Sequence, residues 1–209
     1  PTYVTDILNE VVDTAERILQ EAGEPIKEAQ LVSLVRAKAV ADQTVLSDEV
    51  ITALLNASKN MKRTVFGEWG LNSWVESTPR GVSDKAFIVL RRKGEPMHFR
   101  DITRRINEVQ FDHKQAHEQT VHNELIKDDR FVLVGRGLYG LADWGYIPGT
   151  VADVLEEILK QANQPLTKEK LLEKVLEQRM VKKTTVLLGL QNSNKFQKLA
   201  GERYSLKQD

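Results

Sequence analysis

Asp129-Arg130-Phe131-Val132-Leu133-Val134-Gly135-Arg136-Gly137-Leu138-Tyr139-Gly140-Leu141 is the stretch on which the fold of this 209-residue chain turns. Phe131 to Val134 reads as a strand, Gly135-Arg136-Gly137 as a tight turn and Leu138 to Trp144 as the returning strand. Phe131, Leu133 and Leu141 are the expected buried anchors of this hairpin. Its glycines also satisfy the pattern of a dinucleotide-binding loop, but that loop needs a helix directly after it to receive the pyrophosphate, and the residues after Gly140 are strand-like. A turn is the simpler reading, since glycine tolerates positive φ. Working outward, Ser83 to Arg92 carries Ala86, Phe87, Val89 and Leu90 at helical spacing and stops at Gly94. Pro96 to Phe99 is a short extended piece, Arg100 to Ile106 a second helix, and Gln115 to Lys127 a third with Val121 and Leu125 facing inward. Three helices closed by a β-hairpin make a winged helix-turn-helix.

The plan recurs along the chain. Glu24-Pro25-Ile26 returns as Glu95-Pro96-Met97 and as Gln164-Pro165-Leu166, steps of 71 and 69 positions. An apolar pair four apart comes after each: Ile51 and Leu55, Val121 and Leu125, Val186 and Leu190. Ten residues after the first of each pair stands Met61, Phe131 or Phe196, and twenty after it Leu71, Leu141 or Leu206. The expected helices of the first copy are Val11 to Gln20, Glu28 to Lys38 and Ser47 to Lys59, with strands Met61 to Val65 and Trp69 to Val75. Those of the third are Val151 to Leu159, Lys168 to Leu176 and Thr184 to Gln191 before a shorter hairpin. Pro79-Arg80-Gly81 and Pro148-Gly149 supply breaks, dividing the chain at 1–78, 79–148 and 149–209. The expected fold class is mainly α with small β-hairpins, an α+β chain of three tandem winged helix-turn-helix units.

Composition bounds the chemistry. Apolar residues make up 41% and charged residues 29%, ordinary values for a globular chain. No cysteine occurs, which removes disulfides, thiolate catalysis and thiolate metal sites and fits a reducing compartment. No apolar run approaches the roughly 20 residues of a membrane span, so no membrane partner is expected and the bacterial cytosol or nucleoid is the expected location. The start at Pro1 in place of methionine leaves room for a longer parent chain. His117-Glu118 followed by His122 is spaced five apart, not the four that zinc-protease chemistry needs, and His113 falls in a loop before the third helix. Neither a catalytic residue, nor a metal, nor a cofactor is expected. Asn56-Ala57-Ser58 fits a glycosylation acceptor but is more simply an exposed helix end.

The zero formal charge hides a division. Residues 1–78 hold 7 basic and 12 acidic side chains, a net −5; 79–148 hold 12 and 10, a net +2; 149–209 hold 11 and 8, a net +3. Arg91, Arg92, Lys93, Arg100, Arg104, Arg105 and Lys114 gather around the first two helices of the middle unit and the loop to the third. In a helix-turn-helix the second helix crosses the backbone and the third enters the major groove, so Arg100 and Arg104, four apart on one face, suit phosphate contacts. Opposite Val121 and Leu125, the third helix presents Gln119, Asn123 and Lys127. Glutamine and asparagine pair bidentately with adenine, and lysine reaches guanine or phosphate. Arg136 in the wing turn, and Lys182 and Lys183 beside the third unit's face of Thr184, Leu188 and Asn192, complete the candidate DNA-binding set. The first unit offers Glu49, Ala53 and Ala57 at the same positions and repels phosphate.

With its proline-opened short strand and the 129–141 hairpin, the middle unit resembles the HARE-type helix-turn-helix family. That family includes the amino-terminal domain of the delta subunit of bacterial RNA polymerase, and similar domains follow a helix-turn-helix region in some sigma factors. The resemblance is good across 82–144, fair across 150–207 and weak across 11–75, and it implies a winged-helix fold and a role in transcription or chromatin without supplying a catalytic site. The leading expectation is a non-enzymatic, transcription-associated protein or fragment, part of a sigma-like factor or a polymerase accessory subunit, that binds double-stranded DNA by backbone and major groove. Its acidic first unit is left to hold RNA polymerase or another transcription protein. The alternatives are a docking module without DNA binding, and the targeting region of a larger nucleic-acid enzyme.

Overall fold

Helical apolar stripes and short β-branched runs alternate along the chain, and each stripe closes on the next hairpin. A computed structural model describes residues 2–39, 46–192 and 194–207. In order come α1 (Thr2–Ala22), β1 (Ile26–Lys27), α2 (Glu28–Ala39), α3 (Asp48–Asn56), β2 (Met61–Arg63) and β3 (Glu68–Leu71). Next are α4 (Gly81–Lys93), β4 (Met97–His98), α5 (Phe99–Val109), α6 (Glu118–Lys127), β5 (Phe131–Gly135), β6 (Leu138–Leu141) and a 3-10 turn, Ala142–Trp144. Last come α7 (Val151–Ala162), β7 (Leu166–Thr167), α8 (Lys168–Gln178), α9 (Lys183–Leu190), β8 (Phe196–Leu199) and β9 (Arg203–Leu206). The fold is mainly helical with three small antiparallel sheets, as three tandem winged helices require.

The sheets share one topology, with strand orders β1-β3-β2, β4-β6-β5 and β7-β9-β8. They also share one register. Ile26 faces Trp69 and Met61 faces Leu71; Met97 faces Tyr139 and Phe131 faces Leu141; Leu166 faces Tyr204 and Phe196 faces Leu206. These are the anchors of the sequence repeat. On the third helix of each copy, Ile51, Val121 and Val186 are all fully buried, each contributing about 1.5–3 kcal/mol by removal from water.

By contacts the chain forms two compact bodies, Pro1–Asp84 and Lys85–Asp209. In the first, Val11, Ala15 and Leu19 of α1 pack with Leu31 and Val35 of α2, Ile51 and Leu55 of α3, and Trp69 of the hairpin. Within the second body the last two winged helices are joined by backbone. The Met180 N–H donates to the Val134 carbonyl at 2.7 Å, and Gly135 and Met180 form a parallel bridge, so the segment after α8 adds to the edge of β5. A Cβ on Gly135 would lie 2.8 Å from the Met180 carbonyl oxygen, so this approach requires glycine. Arg179, 4% exposed, donates to the carbonyls of Gln178, Ile147 and Gly149, and Gln178 Oε1 accepts from the Ile147 N–H at 2.9 Å.

Four expectations are corrected. Leu133 is not buried: it is 48% exposed between buried Val132 and Val134. Phe131 at the root of the strand is covered, whereas Leu133 lies nearer the wing tip on the same face, and Val134 on the other face backs onto the Met180 segment. Helix α6 begins at Glu118, not Gln115, because Asn107 takes the backbone of Ala116 for itself: Oδ1 accepts the Ala116 N–H at 2.8 Å and Nδ2 donates to its carbonyl at 3.0 Å. The strand expected to reach Trp144 ends at Leu141, where the chain curls into the 3-10 turn capped by Gly145 at φ 83°; the first-copy strand expected to reach Val75 likewise ends at Leu71. Helix α1 also extends well beyond Val11 to Gln20.

Candidate nucleic-acid interface

Placement of α6 decides what the middle winged helix can read. Val121 and Leu125 bury one face, and this leaves Gln119, Asn123 and Lys127 exposed on the other, as the 100° helical spacing dictates. Gln119 Nε2 donates to Asn123 Oδ1 at 2.9 Å. That bond uses one of the two Gln119 amide hydrogens. Its second hydrogen and Oε1 stay available as the donor and acceptor pair that adenine presents a complement to, and the Asn123 NH2 is turned outward. Lys127 Nζ lies 3.7 Å from Glu124.

Three contacts hold α6 at this angle. One is the Asn107 clasp on Ala116. Another is Lys85, buried on α4, whose Nζ meets Asp112 Oδ2 at 2.7 Å and pins the loop before α6. The Lys85 ammonium, together with the backbone N–H of Lys114, holds the Asp112 carboxyl below the usual carboxylate range. The third is an aromatic run: the His98 and Phe99 rings are 4.6 Å apart, Phe99 stacks on His122 of α6 at 4.5 Å, and His122 meets Tyr139 edge-on at 5.9 Å. His98 also caps α5, its Nδ1 accepting the Arg100 N–H. Sequence reading missed Asn107 and Lys85 as positioning residues. The signal available was a polar side chain four residues after Thr103, beside the stripe of Ile102 and Ile106, and a lysine directly before the inward-facing Ala86.

The helix-two arginines sit where they are expected, exposed on α5, but in company. Arg100 pairs with Glu118 at 3.2 Å, Arg104 with Asp101 at 2.7 Å and Glu108 at 3.7 Å, and Arg105 with Glu108 at 2.9 Å. Such exposed pairs are worth about 0–1 kcal/mol, so phosphate can displace them, yet the carboxylates remain nearby and oppose it. Lys114 is exposed in the loop before α6.

By contrast, the side chains of Arg136, Lys182 and Lys183 are exposed and form no ion pair or hydrogen bond among the described residues. They belong to different copies of the fold, but the Gly135–Met180 bridge brings them together. Because that bridge is parallel, the chain leaves it in one direction on both sides, toward Arg136 on the wing and toward Lys182 and Lys183 at the start of α9. The result is a ridge of three uncompensated cations beside the wing turn. Gly137 shapes that turn: its φ is +71°, its carbonyl accepts the Phe99 N–H at 2.9 Å, and a Cβ there would lie 2.5 Å from His98 Nε2.

On α9 the outward positions are Thr184, Leu188 and Asn192, with Leu188 prominently exposed. On α3 they are Glu49, Ala53 and Ala57, beside exposed Val50. Ser47 caps α3 and, with Arg36, holds the Glu49 carboxyl below its ordinary range, so the face stays anionic. Among the described residues no three histidine, aspartate or glutamate side chains gather as metal ligands, and no helix is long and apolar enough to cross a membrane.

Residues 81–144 match the family model of the HARE-HTH domain, whose description names ASXL and restriction endonuclease HTH domains. The match runs from the first residue of α4 to the end of the 3-10 turn, and the middle winged helix is thus a HARE-HTH domain. No curated protein matches the chain.

Proposed function

We propose that this chain binds double-stranded DNA, with α6 of the HARE-HTH domain in the major groove and the cationic ridge of Arg136, Lys182 and Lys183 on the adjacent phosphates. The observation that carries the reading is the combination on one module of an exposed amide pair, Gln119 and Asn123, with unpaired cations at the wing beside it. Amides supply base discrimination, while cations supply affinity that does not depend on sequence. Arg100, Arg104, Lys114 and Lys127 serve as secondary phosphate contacts. In this reading the functional units are 1–78, 79–148 and 149–209, none of them catalytic, and the role is in transcription.

The first unit takes a different part. Its third helix presents Glu49, Val50 and Ala53, an anionic and apolar face that DNA repels. That face favours a protein partner, such as RNA polymerase or another transcription protein. The runner-up for the whole chain is a docking module without DNA contact.

Titration of labelled duplexes at two salt concentrations tests the reading. Wild type is expected to bind in a salt-sensitive way. Gln119→Ala with Asn123→Ala is expected to reduce discrimination between sequences by about 1–3 kcal/mol per bidentate contact while keeping most nonspecific affinity. Absence of salt-sensitive binding at micromolar protein refutes the DNA reading and leaves the docking module.

A further inference from the structure

Ile126 stands out on the face that the amides occupy. It is 64% exposed, next to Lys127 and three residues from Asn123. On a helix whose inward direction is set by Val121 and Leu125, the 100° spacing puts Ile126 within about 60° of Asn123 and about 20° of Gln119 in projection, on the outward side. At about 1.5 Å per residue, the seven residues from Gln119 to Ile126 cover ~10 Å along the helix axis, or about three base steps at ~3.4 Å each. The other copies lack this side chain: aligned on Ile51 and Val186, the same position is Asn56 in the first and Gln191 in the third.

Resting on the duplex-DNA reading above, we propose that Ile126 is a specificity-determining residue that packs on the C5-methyl group of thymine, so that α6 selects A·T steps in the major groove. The chemistry is complementary along the helix. Gln119 keeps the donor and acceptor that match the N7 and N6 amino edge of adenine, Asn123 presents its NH2 outward, and Ile126 offers the one kind of surface the thymine methyl matches. An A·T step displays the adenine pair and the methyl side by side in the major groove, whereas G·C displays no methyl there. A charged or amide side chain at 126 would lose water against that methyl without a compensating bond; isoleucine gains from the same contact.

The test compares a labelled duplex of alternating dA and dT with the same duplex carrying dU in place of dT, which removes only the methyl groups. Wild type is expected to bind the uracil duplex about fourfold more weakly, the size of one methyl group left in water. Ile126→Ala is expected to bind both duplexes equally with the wild-type salt slope, and Ile126→Val, which keeps branched methyls, to retain a preference for the thymine duplex. Thermal melting of both variants is expected to match wild type, since the side chain is mostly in water. A wild-type ratio of one, or a preference that persists in Ile126→Ala, overturns the assignment of Ile126 while leaving DNA binding intact. Loss of salt-sensitive binding by wild type to either duplex removes the DNA reading itself, and this inference with it.

Discussion

Replacing Arg136, Lys182 and Lys183 by alanine, singly and together, tests whether the ridge at the wing edge lies on the phosphate backbone. Each is exposed and makes no ion pair among the described residues, so each removal deletes one full positive charge without releasing a carboxylate partner. A protein that neutralises Z phosphates shows a slope of log affinity against log salt of about −0.9Z. Each single variant is therefore expected to reduce the slope by about 0.9 and the triple variant by about 2.7. Between about 50 and 200 mM salt, the triple variant's affinity is expected to fall about 40-fold less than that of wild type. The loss is uniform across duplex sequences, because phosphate contacts carry no base information. Fluorescence anisotropy on one labelled duplex over a series of salt concentrations gives the slopes, and circular dichroism confirms that the fold is retained. If the triple variant keeps the wild-type slope, the ridge faces solvent in the complex and the strand pairing through Met180 does not place it on DNA.

Other outcomes follow from the packing. Phe131→Ala is expected to cost about 3–5 kcal/mol in urea unfolding as a large core truncation, and Leu133→Ala, two residues on but half exposed, less than about 1 kcal/mol; equal losses contradict the strand's facing. Gly135→Ala drives a Cβ toward the Met180 carbonyl and is expected to cost about 1–2 kcal/mol through lost hydrogen bonding and crowding, with faster amide exchange at Met180; unchanged exchange contradicts the added-strand arrangement. Lys198 and Lys168 both reach Glu202 and hold its carboxyl at about 2, against an ordinary 4.5. A lowered carboxyl stabilises the fold above its ordinary value, and that contribution is lost as pH falls from 4.5 toward 2. Melting temperature in that window is expected to fall more for wild type than for Glu202→Gln, and equal pH profiles refute the assignment.

Periodicity reports on the core that an element shares with its immediate neighbours in the chain, which explains what sequence reading could reach. Met61, Phe131 and Phe196, with Leu71, Leu141 and Leu206, stand at fixed distances because a hairpin register is a local property, and that register is observed in all three sheets. The outward face of α6 follows in the same way from Val121 and Leu125. Leu133 misleads because strand alternation gives its face without saying how far along the strand the cover extends. The pairing of Arg100 with Glu118 joins residues on separate helices, and the bridge from Gly135 to Met180 joins separate copies of the fold. Neither leaves a periodic trace. Ile126 was legible as a position but not as a feature, since only its exposure distinguishes it from a core residue.

The buried guanidinium of Arg179 has a bearing on how such modules can be exchanged during evolution. Burial lowers its affinity for its proton, and among the described residues the groups that receive it are backbone carbonyls, not carboxylates. Two of them, at Ile147 and Gly149, lie before the first helix of the module that carries Arg179. A gene segment cut just ahead of that helix leaves a sequestered cation short of acceptors, at a cost of several kcal/mol, a large share of what so small a fold can muster. The heritable unit therefore reaches upstream of its own first helix: Ile147 to Gly149 travel as cargo of the third module, and recombination on that side is tolerated only farther toward the HARE-HTH domain.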